Sequence, residues 1–152
     1  MSDLRLLVDF DDPKHGWIGI KVSAGEQQFN ASVSYTPNDF PLQLASAVTL
    51  ALQGQVGVAA AHTEPLCYDF AFTPKSDTGA IALEIVEYRS FRRKNGKSVL
   101  SFEAQATQIA RPFYKALRDI ETRLPVGEYR QAMRTDFPTA AVKRLGEHIQ
   151  SF

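Results

Sequence analysis

From Phe40 to Ala61 the chain carries no Asp, Glu, Lys or Arg. Charged residues make up 22% of the whole sequence, so a run this bare has to be covered by other parts of the molecule. Within it Leu44, Ala47, Val48, Ala51 and Leu52 recur at helical spacing. Asn38 supplies an N-cap, Pro41 is tolerable in the first turn, and Gly54 ends the helix. The reading is a helix over 38–54, buried on more than one side. Val56, Val58 and the alanines to Ala61 then predict an inner strand. His62-Thr63-Glu64-Pro65 interrupts it, because Pro65 cannot donate to a central ladder.

The flanking segments have a different period. Leu4, Leu6, Val8 and Phe10 alternate with Arg5, Leu7 and Asp9. Ile18, Ile20 and Val22 share a face of a second strand, and Phe29, Ala31, Val33 and Tyr35 share a face of a third. The short turns between them predict an antiparallel meander. Tyr68, Phe70 and Phe72 mark another strand, and Ile81, Leu83 and Ile85 begin the next. From about Thr107 to Leu124 the spacing is helical, with Pro112 implying a later start or a kink. A short segment with Tyr129 and Met133 follows. Asp136-Phe137-Pro138 then reads as the N-cap and first turn of a terminal helix. The sum is a single α+β domain over 1–152: a largely antiparallel sheet of about six to seven strands, one inserted helix and C-terminal helices.

The formal net charge is zero, but it is unevenly spread. Residues 1–88 hold four Lys/Arg against eleven Asp/Glu, and residues 89–152 hold thirteen against six. Either the two halves meet and neutralise one another, or the surface is polarised toward a charged partner or a second copy. The change of sign falls at 89-RSFRRKNGKSVLSF-102. Asn95-Gly96 predicts a hairpin there. A two-residue turn pairs Phe91 with Leu100 and Arg89 with Phe102. A three-residue turn pairs Tyr88 with Phe102 and Arg92 with Ser98, with a face switch near Ile85-Val86, and is preferred because it keeps charges off the apolar face.

Two groups of residues could carry function. Arg92, Arg93, Lys94 and Lys97 could grip a partner, or bind nucleic acid through bidentate phosphate contacts with an aromatic neighbour to stack on bases. They could equally be the soluble tip of a hairpin that resists edge pairing. His62, Glu64, Cys67 and Asp69 are the one compact mix of catalytic residue types, and suit a thiolate nucleophile or a general base beside a pocket. Their spacing matches no catalytic or metal motif, and a structural cysteine with a locally satisfied histidine accounts for them as well. The acidic 9-DFDD-12 lacks the glycine and distal glutamate of a calcium loop. No metal or cofactor is expected. The aromatic residues Phe10, Trp17, Phe40, Tyr114 and Tyr129 could include binding anchors, although core is the simpler assignment. No apolar run reaches the ~20 residues that span a bilayer, the N-terminus does not read as a signal peptide, and the single cysteine fits a reducing compartment. These features together lead to the expectation of a cytoplasmic protein.

At 38-NDFPLQL-44, 64-EP-65 and 137-FPTAAVKRL-145 the layout resembles that of small bacterial proteins of unknown function, some of which accompany toxins as immunity proteins. That resemblance implies a non-catalytic module that binds a partner protein, and it assigns no functional residues. The expectation is therefore protein binding or self-association, including a homodimer. A ligand or enzyme pocket near 62–69 and nucleic-acid binding through 89–97 stand as alternatives.

Overall fold

The computed structural model describes residues 5–90 and 92–152. Leu4, assigned above to the first strand, and Phe91, paired above with Leu100, lie outside the described residues. The chain runs β1 (Leu6–Phe10), β2 (Trp17–Ala24), β3 (Gln27–Ser34), α1 (Phe40–Leu52), β4 (Gly57–His62), β5 (Cys67–Lys75), β6 (Ala80–Tyr88), β7 (Lys97–Gln105), α2 (Ala106–Arg123), α3 (Glu128–Met133) and α4 (Thr139–Gln150). The architecture is α+β, and its seven strands are divided between two antiparallel sheets, β1-β2-β3 and β4-β5-β6-β7.

The core forms where these layers meet α1. Only Leu42, Ser46 and Leu50 of that helix are exposed, as the bare charge pattern requires. On the sheet side, β4 offers Gly57, Ala59 and Ala61, and the last two have no accessible surface. A Cβ on Gly57 would lie 2.1 Å from the Ala47 carbonyl oxygen and 2.6 Å from its Cα, so the helix and strand touch backbone to backbone. Aromatic rings join the remaining layers. Phe29 of β3 meets Tyr68 and Phe70 of β5 edge-on, Phe40 of α1 meets Phe70, and Phe72 meets Phe113 of α2.

Several expectations need correction. Asp39, not Asn38, caps α1: its Oδ1 accepts from Leu42 N at 3.2 Å. Asn38 instead donates to the Ala60 carbonyl at 2.9 Å. Strand β4 is an edge strand, with Val56 and Val58 more than half or half exposed, because α1 covers only its other face. Of the two readings of Pro112, the later start is overturned, because α2 starts at Ala106 and runs past it. The residue preceding α4 is Pro138, while Asp136 pairs with Arg130 at 3.1 Å.

Neither hairpin register is adopted. Leu100 pairs with Ile85, Phe102 with Leu83 and Ser98 with Val86. Strand β6 ends at Tyr88 and β7 begins at Lys97, so no tight two- or three-residue turn joins them. This register sets Ile81, Leu83 and Ile85 against Ala104, Phe102 and Leu100, which keeps one apolar face over the core. The ladder shifts between Ile85 and Val86, beyond which the strands leave the core. Gly96 passes so close to Tyr88 that a Cβ there would sit 2.6 Å from the ring.

Because the helix–strand contact at Gly57 leaves no room for a methyl group, Gly57→Ala should destabilise the fold by about 3 kcal/mol. Val58→Ala, on the exposed face of the same strand, should cost less than about 1 kcal/mol. Urea unfolding of both variants against the parent checks the difference.

Candidate functional site

The site with the clearest binding geometry is a cavity of about 350 Å³ between β1, α2 and β7. Phe102 and Ala104 of β7 and Pro112 of α2 give it an apolar lining, which Leu6, Leu7 and Val8 of β1 complete. Arg5, Arg111 and Lys115 bring cations to it. Gln108, Arg111 and Lys115 are exposed and lie three and four residues apart, so they form one stripe along the outer face of α2. Asp119, four residues beyond Lys115, is instead held by Arg123. Among the described residues no acidic group pairs with Arg5, Arg111 or Lys115.

The backbone of β1 adds to this. In an antiparallel pair, residues opposite one another alternate between bonded and non-bonded positions. Asp11 N donates to Gly19 O at 2.9 Å, so Asp9–Lys21 and Leu7–Ser23 are the bonded pairs of this register. Leu6, Val8 and Phe10 consequently turn their N–H and C=O groups to the open edge. The Phe10 carbonyl accepts from Arg123 Nη2 at 3.2 Å. Among the described residues no side chain closes the edge at Leu6 or Val8. The side chain of Leu7, on the outer face, is 60% exposed.

The edges of the second sheet are treated differently. On β4, Ala60 N donates to Gln43 Oε1 at 3.0 Å while its carbonyl accepts from Asn38. On β7, Gln27 Nε2 donates to Ser101 O at 2.8 Å, and its Oε1 accepts from Ser101 N at 2.9 Å. Each amide side chain occupies positions that another strand would need.

The residues singled out in 62–69 and in the basic tip are brought together, but not as a catalytic cluster. His62 and Cys67 face each other across the β4–β5 hairpin, and both are buried. Glu64 is exposed in the turn between them, with φ 44°. Asp69 is taken by the tip: Arg93 binds it in two-pronged fashion, Nε to Oδ2 at 2.8 Å and Nη2 to Oδ1 at 3.0 Å. Arg92 and Lys94 are exposed in the connection, and Lys97 opens β7 opposite Glu87. The 62–69 residues line none of the five cavities described for the molecule. Among the described residues no group of His, Cys, Asp and Glu could hold a metal ion.

Two ion pairs also resolve part of the charge asymmetry. Asp69–Arg93 and Asp12–Arg123, the latter at 2.8 Å, each join the acidic first part of the chain to the basic second part. Of the aromatic residues considered as anchors, Phe10, Phe40 and Tyr129 are core, and Trp17 and Tyr114 are half-buried. Arg5, Arg111 and Lys115 were not singled out in the sequence reading, because they come from segments that are about a hundred residues apart. The one local signal is a like-charge pair at i, i+4 on α2, which an isolated helix would avoid.

In comparison with known proteins, no family model, no curated protein and no solved structure matches the chain. No helix of the described residues is long and apolar enough to cross a membrane.

Burial holds the Cys67 thiol above its ordinary value, with Arg93 working in the opposite direction. The thiol should therefore react with a disulfide reagent far more slowly in the native protein than in urea, as thiol-release kinetics can show. Burial, with Arg93 adding to it, also holds the His62 imidazole below its ordinary 6.5, and Asp69 opposes the shift. The folded protein then binds fewer protons than the unfolded chain. The contribution of His62 is intact above about pH 6.5 and is lost as pH falls from there through the lower folded value. Chemical unfolding across this window should give a shallower pH slope for His62→Gln than for the parent.

Proposed function

We propose that this chain is a non-catalytic protein-binding module of the bacterial cytoplasm, immunity-like in acting by holding a partner protein. The observation that carries the reading is the cavity between β1 and α2: an apolar lining and, among the described residues, three cations that no acidic group pairs and a strand edge that no side chain closes at Leu6 or Val8. That combination offers backbone hydrogen bonds for affinity and charge for selectivity. The resemblance at 38–44, 64–65 and 137–145 points the same way, and the buried free thiol of Cys67 suits a reducing compartment.

The alternatives draw less support. A pocket enzyme needs a convergent, partly exposed cluster at His62, Glu64 and Cys67, whereas two of these are buried and the third points into an exposed turn. A nucleic-acid grip at 89–97 has Arg93 already committed to Asp69.

A photo-crosslinking residue at Leu7, introduced in the source cell, tests the reading. It should trap one protein species, and Arg111→Glu/Lys115→Glu should reduce that adduct roughly tenfold. The same probe at the exposed Val126 serves as control. Adducts to nucleic acid alone, or none at Leu7, would remove the proposal.

A further inference from the structure

The open edge of β1 differs from those of β4 and β7 in a way that specifies what the cavity takes. Ser101 and Ala60 each have both backbone groups satisfied by side-chain amides, so β7 and β4 are blocked at mid-strand. Leu6 and Val8 keep an N–H and a C=O each, spaced two residues apart, beside an apolar cavity. Paired strands lie ~4.8 Å apart, and a strand laid there presents alternate side chains to opposite faces. One set would enter the cavity against Phe102, Ala104 and Pro112. The other would lie on the outer face beside Leu7. The charged residues that line the cavity are all positive: Arg5 beside the strand, Arg111 and Lys115 on the helix, none with an acidic partner among the described residues, while Asp9 lies farther along the outer face of β1.

We infer that β1 receives an extended acidic segment of the partner protein as an additional antiparallel strand, whose cavity face carries apolar side chains for the lining and carboxylates for Arg111 and Lys115. The inference rests on the protein-binding reading and specifies the kind of segment recognised. The incoming strand supplies the missing backbone partners of Leu6 and Val8, and the carboxylates among its cavity-face side chains meet Arg111 and Lys115. A second copy of the chain fits less well. Antiparallel pairing of two β1 strands centred on Leu7 sets Arg5 against Asp9 favourably. It also brings together two α2 stripes that both carry the cations Arg111 and Lys115.

The test uses the intact protein and a fluorescein-labelled eight-residue peptide with Val and Glu in turn on one face and Ser on the other, followed by anisotropy. Saturable binding is expected, weakening as salt is raised. Replacing Glu with Lys in the peptide should weaken binding by roughly tenfold or more, and Arg111→Glu/Lys115→Glu in the protein should do the same. N-methylation of the peptide at alternate residues, in the frame that faces β1, should weaken it by about as much, while the other frame should not. The methylated arms leave the protein unchanged, so misfolding cannot imitate the result. Equal binding of both methylated frames would overturn strand addition, and equal binding of the Lys peptide would overturn acidic recognition. A dimer in light scattering that Leu7→Lys dissociates would replace the partner strand with a second copy. If the peptide fails while the Leu7 crosslink persists, the strand inference falls and the protein-binding reading stands; if the crosslink also fails, both fall.

Discussion

The backbone contact between α1 and β4 is the constraint on which the other layers depend. Gly57, Ala59 and Ala61 let an uncharged helix approach without intervening side chains, and the remaining faces of that helix must then be covered by α2, α4 and the aromatic side chains of β5. Burial of this kind is favourable for apolar groups and prohibitive for unpaired charge. The charged residues are accordingly displaced to the outer strands and to the exposed faces of the C-terminal helices. The same helix also reaches the sheet edge, since Gln43 projects from α1 to Ala60. One element thus organises the core and closes the strand beside it.

The four-stranded sheet has both of its edges met by side-chain amides. An amide group reproduces the donor and acceptor spacing of a peptide unit, which is why Gln27 can satisfy both groups of Ser101. Against that background the edge of β1 has a particular meaning. It is closed at Phe10 by Arg123 and open at Leu6 and Val8. The guanidinium that closes it also holds Asp12, so the end of the open edge is fixed by the pairing of the two oppositely charged parts of the chain.

Much of the fold was legible in the sequence because it rests on local periodicity. The three early strands, α1 and the strands at Tyr68 and Ile81 follow from spacing alone. The errors have a common physical source in tertiary context. Asn38 and Asp39 are both competent caps, and the demand of Ala60 for a donor decides between them. Asn95-Gly96 is a strong turn signal, yet matching Leu83 and Ile85 with Phe102 and Leu100 sets the register and lengthens the connection. The site was less legible. His62, Cys67 and Asp69 attract notice as residue types, but burial and the bond to Arg93 account for them. Arg5 and Arg111 are inconspicuous until β1 and α2 are placed side by side.

That placement also fixes an order of events during synthesis. Strands β1 to β3 form a sheet from neighbouring segments, which can pair early because the loops to be closed are short. The covering of β1 by α2, and the bonds from Arg123 to Phe10 and Asp12, join segments separated by more than a hundred residues. As the chain leaves the ribosome, its first sheet is therefore complete well before the helix that flanks it has been made. Until Arg123 emerges, Leu6, Val8 and Phe10 offer one uninterrupted open edge, the form of surface on which nascent chains misassociate. The arginine that shortens this edge in the folded protein is also the residue that ends its period of exposure.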